Sequence, residues 1–231
     1  MTKIFADGAQ LNEMIELNKN PLIEGFTTNP SLMRKAGVKN YEDFAKEVLS
    51  NIPDKPISFE VFADEFNEME RQAKIIAEWG NNVYVKIPIM NTKGKMSYEL
   101  INRLSDMGIK QNITAILEFK QVEELYNHLN KDTGNIISIF AGRIADTGID
   151  PLDTMIKSVN LYKNHDKCEI LWASPREVLN FYQAEEIGCH IITITKDIIN
   201  KLSLKGKDLE KYSQETVKTF YNDACDSGFS L

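Results

Sequence analysis

The chain has 231 residues, 42% of them hydrophobic and 26% charged, a balance that excludes a disordered or fibrous class and fits one domain with a large core. A formal net charge of −7 leaves no basic footprint for nucleic acid and opposes binding to anionic lipid, so small molecules are the expected partners. No apolar run approaches the roughly twenty residues of a membrane span, and MTKIFADGA at the N-terminus lacks the apolar region of a signal peptide, so a cytoplasmic location is expected.

Eight short runs rich in β-branched and aromatic residues read as strands: KIFAD (3–7), LIEGFTT (22–28), ISFEVF (57–62), VYVKIPI (83–89), IKQNITA (109–115), NIISIFAG (135–142), EILWAS (169–174) and HIITIT (190–195). Stretches of helical period lie between them, as in residues 64–79, where Phe66, Met69, Ala73, Ile76 and Ala77 are spaced by threes and fours. Spread over about 190 residues, the strands define units of roughly 25 residues, the size of one strand plus one crossover helix. This predicts an α/β fold, a (βα)8 TIM barrel. A doubly wound open sheet also alternates strand and helix, but no G-x-G-x-x-G or Walker turn follows any strand, which counts against a nucleotide-binding sheet. One barrel domain is expected over 1–231. Residues 207–226 add a C-terminal helix whose stripe of Leu209, Tyr212, Val217, Phe220 and Ala224 would seal the barrel or dock on a neighbouring subunit.

Cys168, Cys189 and Cys225 are odd in number and lack a C-x-x-C spacing, so they read as structural or incidental thiols. His128, His165 and His190 are scattered singly, with no clustered metal ligands, and His190 reads as a strand-end residue.

Side chains alternate faces along a strand, so each run splits by parity. One face is apolar: Ile4 and Ala6; Ile57, Phe59 and Val61; Val83, Val85 and Ile87; Ile113 and Ala115; Ile137, Ile139 and Ala141. The opposite face carries Asp7, then Ser58 and Glu60, Tyr84 and Lys86, Asn112 and Thr114, and Ser138 and Phe140. In a barrel this second set points at the axis, and all of it is expected near the C-terminal strand ends where barrel active sites form. Each Ser, Thr or Asn alone is better read as a satisfied core group or a strand-end residue facing solvent. Lys86 and Glu60 together are not, because buried charges are rare and need partners; the alternative for them is a structural ion pair.

A buried lysine whose charge is disfavoured supplies a neutral amine, and such an amine attacks carbonyls to form a Schiff base. The iminium is an electron sink, so a carbon–carbon bond two atoms away breaks or forms without a metal or other cofactor. In that chemistry Glu60 would shuttle protons as the carbinolamine dehydrates, Thr114 would hold a water, and Asp7 would take the proton from the sugar hydroxyl whose cleavage releases the aldehyde. In WASPREV (172–178), Ser174 is placed to cap a helix with Pro175 at its first position, and Arg176 in the first turn asks for an anion there. A phosphate is one expected occupant; an ordinary surface arginine is the equal alternative on this motif alone. In FTTNPSL (26–32), Asn29 caps and Pro30 opens another helix.

The ordered segments FADG, GFTTNPSLM, SFEV, YVKIP, NIT, SIFAGRI and WASPRE resemble the transaldolase family, which includes fructose-6-phosphate aldolase, along nearly the whole chain. The resemblance implies an αβ barrel with Lys86 as the Schiff-base lysine, Glu60 as the acid on strand three, Asp7 as the proton-transfer aspartate and Thr114 as the water-holding threonine. It further implies that Thr28, Asn29, Asn112, Ser138 and Phe140 face the sugar, that Arg143, Ser174 and Arg176 hold its phosphate end, and that no cofactor is needed. Short family members form rings through the last helix, so a homo-oligomer of roughly five or ten subunits is expected. Fructose-6-phosphate aldolases have glutamine and tyrosine where this chain has Glu60 and Phe140, both of transaldolase type, although the chain's length matches the short branch in which those aldolases lie. The expected activity is transfer of a dihydroxyacetone unit between sugar phosphates, as in pentose phosphate metabolism. The alternatives are an aldolase releasing free dihydroxyacetone, a transaldolase of sulfo- or other modified sugars, and a non-catalytic phosphosugar-binding barrel.

Overall fold

The structure is a computed structural model that describes residues 1–228. All eight expected strands form and close in sequence order into one parallel barrel: β1 (Lys3–Asp7), β2 (Ile23–Thr27), β3 (Ile57–Glu60), β4 (Val83–Pro88), β5 (Gln111–Ile116), β6 (Asn135–Ile139), β7 (Cys168–Trp172) and β8 (Ile191–Ile194), with β8 pairing back onto β1. Helices alternate with the strands, including Phe66–Ala77 with its buried Met69, Ala73 and Ile76. The fold is therefore a TIM barrel.

By contacts between residues the chain divides into two compact units, the first Met1–Lys196 and the second beginning at Asp197. The first holds every strand. The second carries the C-terminal helix, Leu209–Asp226, capped by the Asp208 carboxylate, which accepts from Lys211 N. Among the described residues, no helix is long and apolar enough to cross a membrane.

The apolar parity sets are buried as expected, with one exception. Ala115 has φ of 62°, the pairing of β5 with β6 slips between Ile113 and Ile116, and Ala115 lines the cavity at the C-terminal end of the barrel rather than the helix layer. An irregularity of this kind adds a residue to one strand and reverses the parity beyond it. Tyr84 corrects the inward set in the other direction. It lies at the N-terminal end of the barrel, beside Lys3, Phe5 and Lys110. There Phe5, Ile136, Leu171 and Ile191 form an apolar cluster against which Tyr84 packs. Gly25 makes room for this layer: a Cβ at that position would sit 2.6 Å from the Phe5 ring. The barrel is thus filled below and open above.

Candidate active site

Parallel register brings the charged residues together. Glu60 on β3 is the Cα partner of Lys86 on β4, Lys86 is the partner of Asn112 on β5, and Asp7 on β1 is the partner of Thr27 on β2. Lys86 is 6% exposed, and its Nζ lies 3.1 Å from Glu60 Oε2 while donating to Thr28 O at 2.9 Å. Lys86, among apolar strand residues, is therefore partnered by Glu60. A buried pair of this kind gives the ammonium a place to leave its proton, which any attack by Nζ requires.

Around this pair opens a cavity of about 510 Å3 at the C-terminal end of the barrel. Asp7, Asn29, Glu60, Lys86, Asn112 and Thr114 line one part of it, and Ser138, Phe140, Arg143 and Ser174 the rest. Burial pushes the Asp7 carboxyl above its usual range, opposed in part by the Lys86 charge and by the bond from Thr27. Asn112 is fixed by a buried chain: Ser138 Oγ donates to its Oδ1 at 2.6 Å, and its Nδ2 donates to Ser58 Oγ at 3.0 Å. Thr114 Oγ1 is buried without a protein partner, so this hydroxyl is left for a ligand or a water. Asn29 caps the helix Pro30–Lys35 as expected, its Oδ1 accepting from Leu32 N at 2.9 Å, which leaves its amide donors for the cavity.

Two expected residues are placed elsewhere. Thr28 is fully buried past the end of β2, its hydroxyl donating to Ser58 O. It shapes the site through the carbonyl that receives Lys86, while Thr27 faces the cavity. Arg176 does not line the cavity; its guanidinium is held by both carboxylate oxygens of Asp146. The helix after β7 starts at Leu179, not at Pro175, so Ser174 is no cap. Its φ of 57° turns the chain away from helical geometry, and Asn180 Oδ1 accepts from Arg176 N and Glu177 N, where an anion is expected.

The end of the cavity near Arg143 is built by close approach. Gly142, in the helix Ala141–Asp146, is so near the loop after β7 that a Cβ would lie 1.5 Å from Ser174 O. This contact holds Ser174 beside the turn that carries Arg143, whose guanidinium sits 5.4 Å from the centre of the Phe140 ring. Ser174 and Ala115, the two non-glycine residues with left-handed φ among those described, both line the cavity. Strain of this kind gathers where a ligand must be held. Missed in the sequence were Thr27 and Thr193, which also line the cavity and which parity along β2 and β8 would have revealed.

The family described as Transaldolase/Fructose-6-phosphate aldolase matches residues 4–231. The chain belongs to this family. It is 36% identical over 227 residues to a protein named probable transaldolase 2 from Listeria monocytogenes, covering 92% of this chain and 98% of that one. It is 33% identical over 221 residues to a probable transaldolase from Thermoanaerobacter sp. (strain X514), covering 94% and 97%. Membership makes the chain an enzyme of the class I aldolase type. More distant solved structures share only the fold: 3-hexulose-6-phosphate synthase from Salmonella typhimurium (TM-score 0.59, 12% identity, 86% of this chain and 91% of that one) and an HpcH/Hpal aldolase/citrate lyase family protein from Burkholderia cenocepacia (TM-score 0.60, 10% identity, 92% and 95%).

Proposed function

We propose that the enzyme is a transaldolase that carries a dihydroxyacetone unit between sugar phosphates as a Schiff base on Lys86. The observation that carries this reading is the Lys86–Glu60 pair lining, together with Asp7, the cavity at the C-terminal end of the barrel. Glu60 takes the ammonium proton, the amine adds to the ketose carbonyl, and Glu60 returns a proton as water leaves the carbinolamine. Asp7 then removes the proton from the sugar hydroxyl, the neighbouring carbon–carbon bond breaks into the iminium, and the aldose product departs. The bound enamine waits for an acceptor aldehyde, and the steps reverse. Asn29, Asn112 and Ser138 supply hydrogen bonds to the sugar, while Arg143 and Ser174 hold its phosphate.

Glu60 and Phe140 favour transfer over release, because the water that would release the fragment is held differently by a carboxylate and a phenyl ring than by an amide and a phenol. The test is a product assay with fructose 6-phosphate, run with and without an aldose phosphate acceptor. Transfer should require the acceptor, with little free dihydroxyacetone in its absence, and Phe140→Tyr should raise that release. Equal release by both proteins would sink this account of position 140. Sugar phosphates as substrates fit a cytoplasmic enzyme, and the apolar stripe on Leu209–Asp226 fits a homo-oligomer.

A further inference from the structure

Asp7 Oδ1 accepts from Thr27 Oγ1 at 2.7 Å, and Thr27 Oγ1 lies 2.6 Å from Thr193 Oγ1. A threonine hydroxyl has one proton. While Asp7 is ionised it accepts that proton's bond, so the short contact between the two threonines must have Thr193 as donor. The three residues come from neighbouring strands, β8, β1 and β2, and the two threonines are 6% and 3% exposed. The bond between the threonines is therefore buried and that to Asp7 part-buried, and the chain is directional. It occupies Oδ1 and leaves Oδ2 of Asp7 without a protein donor among the described residues.

We propose that Thr193 is a positioning residue for proton transfer at Asp7: by donating to Thr27 it fixes the Thr27 hydroxyl on Oδ1 and presents Oδ2 to the substrate hydroxyl. This rests on the proposed role of Asp7 as the base in carbon–carbon cleavage. Thr27 and Thr193 act as one clamp, so loss of the outer hydroxyl frees Thr27 to turn toward solvent or ligand and leaves the carboxylate loose. The charged groups acting on Asp7 from the other strands are Lys86 on β4 and Glu60 on β3, and both are untouched by changes at position 193. Burial already raises Asp7, and the Thr27 bond opposes that rise, so weakening the clamp moves its titration further upward.

The test compares wild type, Thr193→Val and Thr193→Ser in kcat, KM and the pH profile of sugar phosphate turnover, alongside the Asp7 carboxyl carbon followed by NMR against pH. Valine keeps the volume and removes the donor; serine keeps the donor. The proposal expects Thr193→Val to lose about three- to tenfold in kcat, with KM little changed and the acid limb moved to higher pH, and expects Thr193→Ser to restore most of both. An unchanged acid limb in Thr193→Val overturns it, as does a serine variant no better than valine, which would make position 193 a matter of packing. Absence of turnover in wild type would defeat the proposed function instead, and the carboxyl titration would still report whether Thr193 acts on Asp7.

Discussion

Lys86 and Asp7 show how a single side chain is set by its strand neighbours. Lys86 sits opposite Glu60 in register, and an ammonium buried beside a carboxylate is held in place more firmly than one at the surface. Asp7 must be ionised to act as a base, and burial raises its titration above the ordinary aspartate value near 4. Turnover should therefore fall as pH drops through a limb lying above that value, and Asp7→Asn should abolish the limb while lowering kcat by about 100-fold or more. A pH profile with an unshifted limb would remove Asp7 from the role. Asp146 makes a second case, since its carboxylate occupies the guanidinium of Arg176. The pair is half-exposed and so weak, of order 1 kcal/mol. Asp146→Asn should release Arg176 and tighten inhibition by inorganic phosphate by up to about fivefold; weaker inhibition would mean that Asp146 orients Arg176 productively. Lys86, Glu60 and Asp7 were legible in the sequence because charges on a strand are conspicuous. The Arg176–Asp146 pair was not, because the two residues lie thirty positions apart and meet only when the chain is folded.

At the level of elements, the strands were legible and their ends were not. Parity found the inward face of β1, β3, β4 and β6 yet failed at Ala115, where the slip in β5 reverses it, and the capping signal failed at Ser174, where a helix start was expected from Ser-Pro-Arg. Both failures are left-handed residues at the cavity rim, and a left-handed φ in serine or alanine leaves no mark in local propensity. The same rim depends on Gly142, because no Cβ fits against Ser174 O. Gly142→Ala should force apart the turn carrying Arg143 and the loop after β7. The expected result is a KM for sugar phosphate raised roughly tenfold or more, from displacement of a charge-assisted contact. Circular dichroism and a melting curve would show whether the barrel itself survives, and an unaltered KM in a folded variant would refute the close approach as the source of the anion seat.

For the whole molecule, the eight-unit arithmetic identified a barrel because regular alternation of strand and helix leaves few topologies, and closure of β8 on β1 follows. For association the sequence offers only an apolar stripe. Leu209, Val217, Phe220 and Tyr221 are exposed on the helix Leu209–Asp226, more large apolar surface than a lone surface helix usually carries. Phe220→Asp should reduce the species seen by sedimentation from an oligomer to smaller forms, and a wild-type monomer would contradict the proposed assembly. The central claim is covalent, and borohydride tests it most directly. Treating the enzyme with fructose 6-phosphate and borohydride, then mapping the modified peptide by mass spectrometry, should place a reduced dihydroxyacetone or sugar adduct on Lys86, with none in Lys86→Met. A protein that turns over the sugar but yields no adduct, or carries it on another lysine, would contradict the account.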